Sequence, residues 1–293
     1  MTSAIGFIGI GLMGGAMVEC LQKKGYKVTI TANKSRQRID EAVARGATEV
    51  ANAREVAQNS DIVMLCMDTS ASVEARMRGE DGVIAGLRDN AVVVDFGTSL
   101  PASTKMLGAE VAAAGAHLLD APLGRTPAHA VDGLLNIMCA GDKSAFERVK
   151  PVLEDLGENV FHLGELGAGH TIKLLNNFCG MTIANAVAEA FAMADVQGVD
   201  REALYNVMSA GPLHCGMMDF VKGYGVDGDP SQLAFAIKNA AKDIGYYKQM
   251  AADSGVESVM VNSPLEALER ARDDGRGDLM VSQMVDFYSD KFS

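Results

Sequence analysis

The chain has 293 residues, 48% of them hydrophobic, enough for one large core or two ordinary ones. Its formal net charge of −12 argues against nucleic acid or an anionic membrane as the main partner, although a few local cations can still hold a small anionic substrate. Five widely spaced cysteines with no C-x-x-C pair suggest neither a zinc site nor a disulfide framework, and they read as free thiols in a reducing, cytoplasmic setting. No run of about 18 apolar residues lacks charge, so no membrane span is expected. A strand starting at Ile5 leaves no room for a signal peptide.

The first predicted strand, residues 5–10, runs into Gly9-Ile10-Gly11-Leu12-Met13-Gly14, a G-x-G-x-x-G loop followed by a helical pattern through Met17, Cys20 and Leu21. Gly9 permits the tight turn, and Gly11 lets the backbone approach a pyrophosphate. Gly14 lets the new helix pack closely on the strand, with its first amides aimed at phosphate. The strand before and the helix after favour a dinucleotide site; an ordinary glycine-rich β-to-α turn is the alternative.

Further strands are predicted over 27–31, 61–67, 91–96, 117–121, 134–140 and 159–163, with helices over 35–44, 52–58, 101–114 and 143–156 between them. Alternating β and α implies a Rossmann-type, doubly wound, mostly parallel sheet over 1–164, with its ligand beyond the carboxyl ends of the strands. After Gly164 the pattern is helical. One helix over 168–197 would be roughly 45 Å long at 1.5 Å per residue. Others follow over 201–209, 231–252, 264–271 and 280–288. Residues 165–293 are therefore expected to be an all-α domain serving substrate binding and dimerisation. The apolar run 181–193 on so long a helix implies at least a dimer, a homodimer or a homotetramer.

The turn after the second strand should meet the adenosine ribose, where an acid would favour NAD. Here it reads Asn33-Lys34-Ser35-Arg36, with no carboxylate before Asp40. Lys34 and Arg36 can neutralise a 2′-phosphate, and Asn33 and Ser35 can hydrogen-bond it, so NADP is favoured over NAD. A solvated basic turn is the alternative. On the long helix, Lys173 and Asn177 are four residues apart and share a face. A desolvated lysine can exchange protons near neutrality, and an amide beside it can hold a substrate hydroxyl. A structural polar stripe would explain the pair as well.

Taken together, three motifs in order resemble the β-hydroxyacid dehydrogenase family across essentially the whole chain. They are Gly6 to Gly14 at the start, Gly169 with Lys173-Leu174-Leu175-Asn176-Asn177, and Phe235 with Lys242-Asp243. The resemblance implies Lys173 as general acid/base, Asn177 positioning the substrate, and Lys242 near the nicotinamide. Thr98 matches a cofactor-contacting threonine, with Gly97 in place of the usual serine. Met67 and Asp68 match the loop bordering the cofactor.

The family's substrate-holding stretch is commonly Ser-Gly-Gly. Here it is Gly124-Arg125-Thr126, and the arginine adds a planar, charged donor fork. This resembles the form in sulfolactaldehyde reductases, where the anion is a sulfonate. Alternatively, Arg125 points outward or pairs with an acid such as Asp132.

The expected activity is NAD(P)-dependent interconversion of a small anionic aldehyde and its β-hydroxy acid. Imine reductases share the fold, and non-catalytic dinucleotide-binding proteins are the other alternative. Both tend to lack the family's lysine, which this chain has at Lys173. His129, His162, His170 and His214 lack ligand spacing, so no metal is expected. His170, near the start of the catalytic helix, reads as a cap or surface residue.

Overall fold

The structure is a computed structural model and describes residues 3–32 and 36–293; Asn33, Lys34 and Ser35, singled out above for the cofactor phosphate, lie outside the described residues. The chain forms two compact units, one ending at Lys173 and one beginning at Leu174.

The first unit runs β1 (Ile5–Ile8), α1 (Leu12–Lys23), β2 (Val28–Thr31), α2 (Arg36–Ala44), β3 (Thr48–Val50), α3 (Ala53–Gln58), β4 (Ile62–Leu65) and α4 (Ser70–Met77). It continues with β5 (Val92–Asp95), α5 (Pro101–Ala113), β6 (His117–Asp120), β7 (Leu123–Gly124), α6 (Pro127–Val131), β8 (Leu135–Gly141), α7 (Lys143–Leu156) and β9 (Gly157–His162). The strand order is β3-β2-β1-β4-β5-β6-β8-β7, with β9 paired to β8. Strands β1 to β6 are parallel, and β8 runs antiparallel to β6 and β7. The order reverses beside β1, which opens a crevice at the carboxyl ends of β1 and β4.

The buried side chains show why the central strands read as unbroken apolar runs. In β1, β4 and β5 every residue is buried. Ile5, Phe7, Met64, Val92 and Val94 join the core on one face of the sheet; Ile8, Val63, Leu65 and Val93 join the core on the other. Helices cover both faces, as a parallel sheet requires.

The second unit contains most of α8 (Ala168–Val196), then α9 (Arg201–Ser209), α10 (Gly216–Gly225), α11 (Ile237–Asp253), α12 (Asn262–Ala271) and α13 (Met284–Phe292). Its core gathers Val187, Ala188, Phe191, Val221, Ile244, Leu268 and Met284. Among the described residues it holds no strand, only an isolated bridge between Ala236 and Met280. That bridge explains a difference from the sequence reading. The predicted helices 231–252 and 280–288 each begin as a short 3-10 turn, Pro230–Leu233 and Val281–Gln283, and become α-helical only afterwards.

Strands β3 and β7 and helices α4, α6 and α10 were not predicted. Two of these elements are very short, β3 carries an exposed Glu49, and α10 is bounded by Gly216 and Gly225. The sequence reading put the join at 164/165, whereas the compact units divide inside α8. The first turn of that helix is tied to the sheet, as described next. Among the described residues no helix is long and apolar enough to cross a membrane.

Candidate active site

The glycine loop divides its labour as the motif requires. Gly9 has φ +97°, and a Cβ there would lie 2.3 Å from the Cys66 carbonyl oxygen. A Cβ on Gly14 would lie 2.0 Å from the Gly9 carbonyl oxygen, so α1 can pack this closely only with glycine. Gly11 faces open space, with nothing within 4 Å of a Cβ. It is also the N-cap of α1, where no side chain caps the helix and no acid lies in the first turn. An uncapped helix start beside an open glycine fits a pyrophosphate. Leu12 is 69% exposed at this mouth, and Met13 packs against the core. Met67 lies against Gly9, and Asp68 is exposed just beyond it.

Beyond the end of β2 the structure adds a residue that the sequence reading missed. Arg36 donates through Nε to Asp40 Oδ1 at 2.7 Å, and through Nη1 and Nη2 to both carboxylate oxygens of Glu49 at 2.7 and 2.8 Å. Glu49 reaches this edge because β3 pairs it with Ile30 on β2. Arg36 is thus already shared by two carboxylates, and a phosphate would compete with them.

Strands β5 and β6 end in aligned aspartates, Asp95 and Asp120. Asp95 accepts from the Gly97 amide at 2.8 Å and from Ser99 Oγ at 3.1 Å, which braces the loop carrying Thr98. Asp120 accepts from the amides of Gly167 and His170, each at 2.7 Å. A carboxylate distant in sequence therefore caps α8, which complements the helix dipole. Burial pushes the Asp120 carboxyl above its usual range, against the pull of His170 and of these amides. A Cβ on Gly169 would lie 2.2 Å from the Met138 carbonyl oxygen, so only glycine lets this turn approach β8. His170 is fully buried, and its Nδ1 lies 2.8 Å from Thr104 Oγ1. The surface role considered for it does not hold, because the ring is enclosed beneath the first turn of α8. Lys173 follows it by three residues and is half-buried.

In the second unit, Asn177 donates through Nδ2 to Asp243 Oδ2 at 2.7 Å. The Lys242 ammonium is 2.9 Å from Asp243 Oδ1, a charge contact outside hydrogen-bond geometry, and sits 5.2 Å from the Tyr246 ring centroid. Asp243 is buried and holds both neighbours in place. Beside Asn177, Phe178 stacks on Tyr247 with centroids 4.2 Å apart.

The Gly124-Arg125-Thr126 stretch has an unusual backbone. Arg125 has φ +77°, a left-handed conformation that favours glycine. Its Nη1 donates to the Leu134 carbonyl at 2.7 Å and lies 2.5 Å from Glu158 Oε2. The acid it pairs with is Glu158 rather than Asp132. Thr126 Oγ1 is 2.8 Å from His129 Nδ1.

Residues 4–164 match the NAD binding domain of 6-phosphogluconate dehydrogenase, and residues 167–288 match the NAD-binding domain of NADP-dependent 3-hydroxyisobutyrate dehydrogenase. The chain belongs to the β-hydroxyacid dehydrogenase family. This makes it an oxidoreductase with an NAD(P)-binding domain. It is 30% identical to the 3-sulfolactaldehyde reductase of Escherichia coli K12 over 278 residues, 94% of this chain and 92% of that one. It is 35% identical to the 2-hydroxy-3-oxopropionate reductase of the same organism over 67% of this chain and 66% of that one. The Mycobacterium tuberculosis 3-hydroxyisobutyrate dehydrogenase solved with L-serine shares the fold, at TM-score 0.85 and 24% identity over 98% of this chain and 99% of that one. An imine reductase of Myxococcus stipitatus, solved with NAD+, shares it at TM-score 0.64 and 18% identity over 98% and 99%.

Proposed function

We propose that this enzyme interconverts a small anionic aldehyde, of the semialdehyde or sulfolactaldehyde type, and its β-hydroxy acid, with Lys173 as general acid/base. The reading rests on Lys173 itself, a half-buried lysine following a helix start that Asp120 caps, with Asn177 one turn further along α8. When bound, the dinucleotide supplies or accepts a hydride. In reduction, Lys173 gives a proton to the aldehyde oxygen; in oxidation it takes one from the hydroxyl. Asn177, oriented by Asp243, holds the reacting oxygen. Gly124, Arg125 and Thr126 bind the anionic end.

Gly9, Gly11, Leu12, Met13 and Gly14 hold the pyrophosphate, with Met67, Asp68, Thr98 and Lys242 along the rest of the cofactor. NADP is favoured through Asn33, Lys34, Ser35 and Arg36, with NAD as the second cofactor. The Gly124-Arg125-Thr126 stretch and the 30% identity to a sulfolactaldehyde reductase put a sulfonate beside a carboxylate as the candidate anion. The imine reductase likeness extends to the fold, and Lys173 argues against that chemistry here.

The protein acts in the cytoplasm as a homodimer or homotetramer. Much of the run 181–193 is consumed by the second unit's own core, where Met181, Ala184, Val187, Ala188 and Phe191 are buried. Ile183, Ala186 and Met193 remain exposed at helical spacing on α8, with Ala190 partly exposed in line with them. This apolar stripe suits a second copy. A panel of aldehydes and hydroxy acids with carboxylate and sulfonate ends, assayed with NADH and NADPH, tests the function. Absence of turnover across the panel overturns it.

A further inference from the structure

His170 is a fully buried side chain that the reaction above does not use. Its Nδ1 edge is engaged by Thr104 Oγ1 at 2.8 Å. Its Nε2 edge has no hydrogen-bond partner among the described residues and faces Asp95 Oδ2 at 3.8 Å. A polar atom enclosed without a partner is costly, and a protein retains one at a site of function or strain. The Thr104 hydroxyl is closer to Nδ1 than to the Leu100 carbonyl, which lies at 3.2 Å. The two contacts are compatible with either ring tautomer; with the hydroxyl proton on Nδ1, the ring proton sits on Nε2 and points at Asp95. Asp120 Oδ2, 3.8 Å from Nδ1, completes the charged surroundings of the ring.

Asp95 has two duties in this arrangement. It braces Gly97 and Ser99, the neighbours of Thr98, and it confronts the ring on the first turn of α8. Asp120 fixes the backbone of that turn at its first residues, through the Gly167 and His170 amides. The imidazole adds a side-chain hydrogen bond to Thr104 on α5 and sets its Nε2 edge 3.8 Å from Asp95 on β5. Lys173 is less than one turn away on a continuous helix, so any tilt at residue 170 displaces its ammonium.

We propose that His170 carries its ring proton on Nε2 and is a positioning residue for Lys173, its Nε2 edge holding the first turn of α8 toward Asp95 and thus toward the loop that carries Thr98. The proposal rests on the reading of Lys173 as the general acid/base. In the working enzyme the strut keeps the proton donor in register with the cofactor-side loop.

Two substitutions separate the two edges of the ring. His170→Asn keeps an amide near Nδ1, within reach of Thr104, and removes the edge facing Asp95. His170→Gln carries its amide out to the Nε2 position and restores a donor there. His170→Asn should lower kcat by about 10- to 100-fold, the scale of an ångström-level misplacement, with KM and the NADPH dissociation constant held within about twofold. His170→Gln should recover most of that loss. Hydrogen exchange of the amides over 168–173 should quicken in His170→Asn and return toward wild type in His170→Gln. An asparagine variant with wild-type kcat overturns the proposal, as do equal losses in both variants or a loss matched by KM. If the wild type turns over nothing in the substrate panel, the reading of Lys173 fails by itself. The exchange experiment then still decides the strut, since unchanged exchange in His170→Asn removes it.

Discussion

Arg125 Nη1 lies 2.5 Å from Glu158 Oε2, while its own backbone stands at φ +77°. The residue thus adopts a glycine-like conformation and holds its charge on a carboxylate partner. Left-handed backbone costs an L-residue roughly 1–2 kcal/mol. The pair is partly exposed and contributes about 0–1 kcal/mol. The two effects nearly offset each other, so Arg125→Gly should leave thermal stability within a few degrees of wild type and make its kinetics interpretable. KM for the best substrate should rise strongly and NADPH affinity should barely change. Arg125→Lys should not rescue fully, because an ammonium lacks the planar fork.

Glu158→Gln gives the complementary result. Weakening the carboxylate's hold frees the guanidinium for the substrate anion, so KM should fall. A sulfonate substrate should gain at least as much as its carboxylate analogue. Unchanged kinetics in both Arg125→Gly and Glu158→Gln would leave Arg125 as a structural residue of the loop.

Lys173→Ala should reduce kcat by about 10²–10⁴-fold, the usual worth of a positioned acid/base, with NADPH binding close to wild type. Steady-state kinetics and a cofactor titration on the same preparation read both quantities. A variant retaining more than about a tenth of wild-type kcat removes Lys173 from the proton-transfer role.

The wild type should prefer NADPH to NADH, measured as the ratio of kcat/KM values. Glu49→Gln should raise that ratio a few-fold, because Glu49 engages two of the Arg36 nitrogens that a 2′-phosphate would use. Arg36→Ala should lower it. Equal kcat/KM for the two cofactors in the wild type would defeat the preference, and an unchanged ratio in Glu49→Gln would assign cofactor choice to other residues.

Much of the architecture was legible because each signal was local. The apolar strands, the glycine loop and the β/α alternation depend on short spacings, and the buried runs of β1, β4 and β5 leave little ambiguity. The connections that organise the site depend on tertiary approach. Asp120 caps a helix 47 residues away, Glu49 reaches Arg36 from an edge strand of three residues, and Glu158 reaches Arg125 from β9. No periodicity announces such partners. Asp95 and Asp120 carried a weak signal, since each closes an apolar strand just before a loop, where parallel sheets bind ligands. His170 carried none, because a lone histidine at a helix start looks the same in sequence whether buried or exposed.

The exposed stripe on α8 makes a prediction about assembly. Ile183 is 39% exposed and Met193 44% exposed, while Val187 and Phe191 turn into the second unit's own core. The core face is satisfied within the chain and the opposite face is not. Ile183→Arg puts a charge on that outer face at an exposed position. Such a charge has to be desolvated when two apolar faces meet, and it has no partner there. Light scattering should therefore give the wild type a dimer or tetramer mass at micromolar concentration and Ile183→Arg a smaller one. The variant's circular dichroism should stay unchanged, since an exposed helix position tolerates arginine well. A wild type that runs as a monomer removes the oligomer altogether, and an Ile183→Arg variant with the wild-type mass moves the interface to another surface.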